Sequence, residues 1–136
     1  DAIFCNRIVY HGQVDYNTAL RIMNGSDFIV ALYYPANKYH VYASPNKYYE
    51  SLYLHKPVIT SKNTLVGQTV EEKNTGYTVY HTIGDLENLF ASIHQPKFKD
   101  SYIRKAENCR DIWNFGYRNY FRDTLCGDYI QTLKNL

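Results

Sequence analysis

A doubly wound α/β domain is the fold this chain predicts: a parallel sheet of about four strands with helices on both faces and two C-terminal helices. Three observations carry that expectation. Strand-like and helix-like stretches alternate four times along the chain, a pattern that makes parallel strands joined by right-handed crossovers. Residues 28–33 form an unbroken apolar run, the mark of a strand covered on both faces. The helical stretches repeat their apolar residues at i, i+3 and i+4 and carry capping residues at their ends.

Taken in order, Ile8-Val9-Tyr10 reads as a short buried strand that stops at His11-Gly12. Asp15 is placed to cap a helix whose Tyr16, Ala19, Leu20 and Met23 share a face, with Gly25 just past its end. The strand over 28–33 is broken by Pro35, and residues 36–43 form a loop. Ser44 is placed to cap a helix over 45–55, with Pro45 in its first position, where the missing N–H would go unpaired anyway. Tyr49, Leu52 and Tyr53 mark its inward face, and Val58-Ile59-Thr60 is the strand it leads into. A loop with Gly67 then precedes a short helix over 69–73, closed by Asn74 and Gly76, and residues 77–80 make a fourth strand. Asp85 caps a helix with Leu86, Leu89, Phe90 and Ile93 on one face, ended by Gln95-Pro96. Two helices, over 101–114 and 117–134, finish the chain and break near Gly116. Along the second, Phe121, Leu125, Tyr129, Leu133 and Leu136 form an apolar stripe that needs a surface to cover it.

The 136 residues suit one domain, long enough to bury roughly two-thirds of the surface of the unfolded chain. With 15 basic and 13 acidic residues the net charge is +2, so nucleic acid is not an expected partner. The charge is uneven: from Lys97 onward 8 basic and 5 acidic residues give +3, and the remainder, 7 and 8, gives −1. A solvated helix face explains that tail, and contact with anionic lipid is the alternative. Cys5, Cys109 and Cys126 are odd in number and far apart, which points to reduced cytosolic thiols. Neither these nor the 5 histidines fall at metal-ligand spacing, so no metal is expected. Nothing resembles a signal peptide, and no apolar run reaches the roughly 18 residues that span a bilayer.

The stretch from Ser44 to Glu50 carries the chemistry. A helix N-terminus presents free backbone N–H groups and the positive end of the dipole, a setting that attracts phosphate. Lys47 adds a point charge there, and Glu50, three residues on, can accept two hydroxyl hydrogen bonds. Together they make a cradle for a nucleotide diphosphate and its ribose. A plain i, i+3 surface ion pair, worth a few tenths of a kcal/mol, is the structural alternative.

The string S-P-N-K-Y-Y-E-S-L-Y-L-H-K-P-V-I-T, Ser44 to Thr60, resembles the nucleotide-sugar-binding motif in the C-terminal domain of GT-B-fold glycosyltransferases that build bacterial surface and capsular polysaccharides. Weaker similarity extends over most of residues 8–135, through Tyr10-His11-Gly12 to Tyr16, Ser26 to Ala31, and Asn74-Thr75-Gly76-Tyr77. The resemblance implies a Rossmann-like domain, so residues 1–136 are read as the donor-binding part of a larger two-domain enzyme. It implies a hexosyltransferase that moves a sugar from a nucleotide diphosphate to an acceptor hydroxyl, without a cofactor or metal. Glu50 matches the family glutamate that holds the donor ribose, and Ser44, Asn46 and Lys47 match positions near the diphosphate. Gly12, Gln13 and Val14 match the loop that contacts the base, and Gly67 is a further donor contact or a simple turn glycine. The implied partners are the nucleotide-sugar donor and an N-terminal acceptor domain or partner chain, without which no transfer is expected. A cytoplasmic location is implied, with peripheral contact at the inner face of the membrane through the parent enzyme.

Two departures stand out. Eight residues ahead of Glu50, where many retaining members carry a second glutamate, this chain has Tyr42, so the sugar-side contact is altered or absent. His55 replaces the usual glycine before Lys56-Pro57. Two other functions remain open: a sugar-nucleotide epimerase, which shares the donor cradle, and a non-catalytic doubly wound binding module in which 44–50 is only a capped helix. A receiver-like module would show clustered acidic residues after its first strand, and 7–15 lacks them.

Overall fold

The computed structural model describes residues 8–125 and residue 131. In chain order its elements are α1 (Tyr16–Asn24), β1 (Ile29–Ala31), α2 (Lys38–Val41), α3 (Asn46–Leu54), β2 (Val58–Ser61), α4 (Leu65–Lys73), β3 (Gly76–Val79), α5 (Ile83–Ser92) and α6 (Pro96–Ile112). The strands form one open parallel sheet in the order β1-β2-β3, with Ile29 opposite Val58 and Val58 opposite Gly76. Two right-handed crossovers in the same direction put α3 and α4 on one face. There Tyr48, Leu52, Val66 and Val70 pack on Ala31 and Val58, and Cys109 of α6 completes the core.

Strand side chains alternate, so Ile59 and Tyr77 point to the other face. The first half of α6 covers it: the Tyr77 and Phe98 rings stack 4.9 Å apart, and Phe28 meets Tyr102 edge to face at 5.3 Å. Val30, on that side of β1, stays exposed, so the second face is covered only in part. Further along, Cys109 donates to the carbonyl of Thr75 at 3.3 Å, at the foot of β3. From there the helix comes up the α3 side of the sheet, where Trp113 and Tyr117 reach Tyr53 and Tyr49.

The sheet has three strands among the described residues rather than four. Ile8, Val9 and Tyr10 belong to no strand, and all three are exposed. Three residues offer few ladder bonds, and no packed surface here covers their side chains, so burial does not repay the ordering of the segment. The C-terminal half also differs. Instead of two helices broken near Gly116, α6 runs on through wider π-type turns, Trp113–Tyr117 and Tyr120–Leu125. A helical glycine costs only about 1 kcal/mol relative to alanine, too little to end a helix whose neighbouring turns are packed. Cys5, Cys126 and the end of the apolar stripe, Tyr129, Leu133 and Leu136, lie outside the described residues.

Smaller differences come from capping. Asp15 does cap α1, accepting from the Thr18 amide at 3.0 Å. The loop over 36–43 contains α2, capped by Asn37. Thr82 rather than Asp85 caps α5, while Asp85 accepts from the Tyr80 amide at 2.7 Å. Thr64 starts α4 well ahead of residue 69, which puts Gly67 inside the helix rather than in a loop.

Candidate functional site

The first turn of α3 lacks a side-chain cap. Pro45, at the capping position, has no side-chain acceptor, and the Ser44 hydroxyl shares a 3.0 Å hydrogen bond with the Tyr49 hydroxyl instead. The leading amides of α3 are therefore left without the side-chain partner that Ser44 was expected to give. From this turn Lys47 donates to Glu50 Oε2 at 2.7 Å. The pair is not an ordinary surface contact: the Glu50 side chain is only 9% exposed, against 45% for Lys47.

Glu50 is covered because α1 stands beside α3. The Tyr16 phenol faces its carboxylate, and loss of solvent followed by the Glu50 charge pushes the Tyr16 pKa up. Between the two helices lies a cleft of about 540 Å³, lined by Tyr16, Leu20, Asn46, Tyr49, Glu50, Tyr53 and Trp113. Tyr53 and Trp113 meet edge to face at 5.3 Å and form its far wall. Of the expected inward residues of α3, Leu52 is buried and Tyr49 packs half-buried against the core, but Tyr53 does not. Tyr48, Ser51 and Leu52 are buried, while Tyr53 is half exposed and turned to the cleft. Tertiary neighbours on both sides of the helix cover a wider arc than its own periodicity marks.

Asn46 and Glu50 line this cleft, with Lys47 tied to Glu50 at its edge. Ser44 lies on the other side of the α3 terminus, in a recess of about 280 Å³ between α3 and α4. Tyr49 lines both. Gly12, Gln13 and Val14 are exposed ahead of α1 and line neither, although Gly12 does take a left-handed conformation, φ 67°. Gly67 is buried in the first turn of α4, where a β-carbon would run into the Ser61 carbonyl. Close helix–strand packing alone requires that glycine. Among the described residues no group of three or more His, Cys, Asp or Glu is placed to hold a metal ion. None of the described helices is long and apolar enough to cross a membrane.

Sequence reasoning missed Tyr16, Leu20 and Trp113 as cleft residues and put Tyr53 in the core. Tyr53 was within reach, since it follows Glu50 by three positions and such pairs share a helix face. Trp113 carried no local signal; only the course of α6 brings it to the cleft. No protein-family model, no curated protein and no solved structure matches the chain.

Proposed function

We propose that this chain is the donor-binding half of a glycosyltransferase of the hexosyltransferase class, acting on a nucleotide diphosphate sugar. One observation carries the reading: a shielded carboxylate, Glu50, faces a cleft one turn from an uncapped helix N-terminus that bears Lys47. A carboxylate so placed can take two vicinal hydroxyls, while the helix end and Lys47 take the negative charge of a diphosphate. The backbone adds support. His55 stands where the resembling enzymes have glycine, and it is left-handed, φ 56° and ψ 36°. A left-handed position is one that glycine takes more readily than histidine, which is in keeping with the resemblance. In this reading helix end and lysine neutralise the leaving nucleotide, and the acceptor comes from an N-terminal domain or partner chain in the cytoplasm, at the inner face of the membrane.

The test is Glu50→Gln. The substitution keeps the shape and removes the charge that strengthens hydrogen bonds to ribose hydroxyls, each worth roughly 1.5–3 kcal/mol. Calorimetric titration should show nucleoside diphosphate affinity falling on the order of tenfold or more. Stability should change little, because Lys47 is half in water and regains hydration when its partner loses charge. Equal affinities together with a clear loss of melting temperature would make the pair purely structural and remove the donor site.

A further inference from the structure

Resting on the donor reading above, we propose that the α1–α3 cleft holds the nucleoside, with the base against Tyr53 and Trp113 and the ribose on Glu50. The resemblance assigns the base to Gly12-Gln13-Val14, but that loop is exposed and lines no part of the cleft. The lining points to Tyr53 and Trp113 instead. Four of its seven described residues are aromatic, three of them tyrosines, and the non-aromatic polar ones are Asn46 and Glu50. Such a site suits a flat ligand with one hydroxyl-bearing end, and its volume of about 540 Å³ lies within the range of small-molecule clefts.

Among the described residues no cationic side chain lines the cleft, so a diphosphate belongs outside it, at the α3 terminus beside Lys47. That leaves the nucleoside for the interior. Glu50 and Tyr53 lie three residues apart on α3, neighbours along one helix face and suitably placed for a sugar and the base attached to it. Tyr53 is 50% exposed, yet its ring is held by the edge-to-face contact with Trp113, at 69° between planes. A half-exposed ring fixed in orientation is a stacking surface for any base. A saccharide ring could also use the tyrosine hydroxyls of this lining; what marks a base is the fixed ring pair of Tyr53 and Trp113.

Trp113 is the only tryptophan of the chain, so its emission reports on this cleft alone. The full chain is titrated with uridine and guanosine, their 5′-diphosphates, inorganic pyrophosphate and glucose. Nucleosides and nucleoside diphosphates should alter Trp113 emission, and pyrophosphate and glucose should not. Tyr53→Leu should weaken nucleoside diphosphate binding by at least about fivefold, the low end of base–aromatic stacking, and leave pyrophosphate binding unchanged. Glu50-dependent nucleoside diphosphate binding, with emission unaltered and Tyr53→Leu as tight as the parent, would put the base elsewhere and overturn this proposal alone. Absence of any nucleoside diphosphate binding would overturn the donor reading with it. A response to glucose without one to nucleosides would make the cleft a saccharide site and overturn the nucleoside assignment.

Discussion

The two faces of α3 are cut from the same nine residues and do opposite things. Tyr48, Ser51 and Leu52 are sealed between the sheet, α4 and α6, and Ser51 Oγ is tied back to the Tyr48 carbonyl at 2.6 Å. Asn46, Glu50 and Tyr53 border a cleft whose other wall, α1, contributes no fully buried residue. One face is closed over Ser51 and Leu52, both 0% exposed. The other keeps room for a ligand and holds its side chains by an ion pair and a ring contact rather than by close packing. Stability and recognition are thereby divided along a single helix, and substitutions on the two sides should separate them.

The sharpest break comes from Leu52, which is 0% exposed. Leu52→Ala leaves a cavity at the meeting of α3 with the sheet and should lower stability by about 2–5 kcal/mol, seen as a drop in denaturant midpoint. Tyr53→Leu on the open side should stay within about 1 kcal/mol. Equal losses would erase the distinction between the faces.

The sealed face also predicts a response to alkali. Burial pushes the Tyr48 hydroxyl and the Cys109 thiol up to about 12, from 10.0 and 9.0. Both are protonated in the fold and lose their protons sooner in the unfolded chain, so the unfolded state binds fewer protons in this window. Stability should hold below about pH 9 and fall progressively toward pH 12. Melting temperatures measured over that span should decline less steeply in Cys109→Ala; an identical decline would mean that the thiol takes no part.

The smallest effect belongs to the end of the helix. His55→Gly relieves a left-handed side chain at φ 56°, a conformation that costs roughly 1–2 kcal/mol, part of which glycine returns as entropy of the unfolded chain. A net gain of up to about 1 kcal/mol is expected, read as a higher denaturant midpoint. His55 lies outside the cleft lining, so nucleotide affinity should not move, and a large change in it would mean that the two faces are coupled.

The β1–α3–β2–α4–β3 unit was legible in the sequence because its signals are local. Examples are the 28–33 apolar run, the Lys56-Pro57 entry to β2 and the left-handed close of α4 at Asn74. The candidate site was legible only along α3, where Asn46, Lys47 and Glu50 are neighbours in sequence. What failed was long-range. Ile8-Val9-Tyr10 has strand composition, but pairing depends on whether a neighbour covers it, and composition does not record neighbours. Gly116 looks like a break, yet packing of Trp113 and Tyr117 against α3 carries the helix through it. The aromatic wall of the cleft came from 60 positions beyond Tyr53, at Trp113, a separation no periodicity spans.

α6 also has a mechanical meaning. It is a strut of 17 residues, about 1.5 Å per residue, with Phe98 and Tyr102 bearing on the far side of the sheet and Trp113 following its last turn at the cleft. One continuous helix thus links Trp113 to Tyr77 and Phe28 without crossing the strands. A ligand seated against Trp113 should therefore be felt in amide exchange around Phe98 and Tyr102, on the opposite side of the sheet.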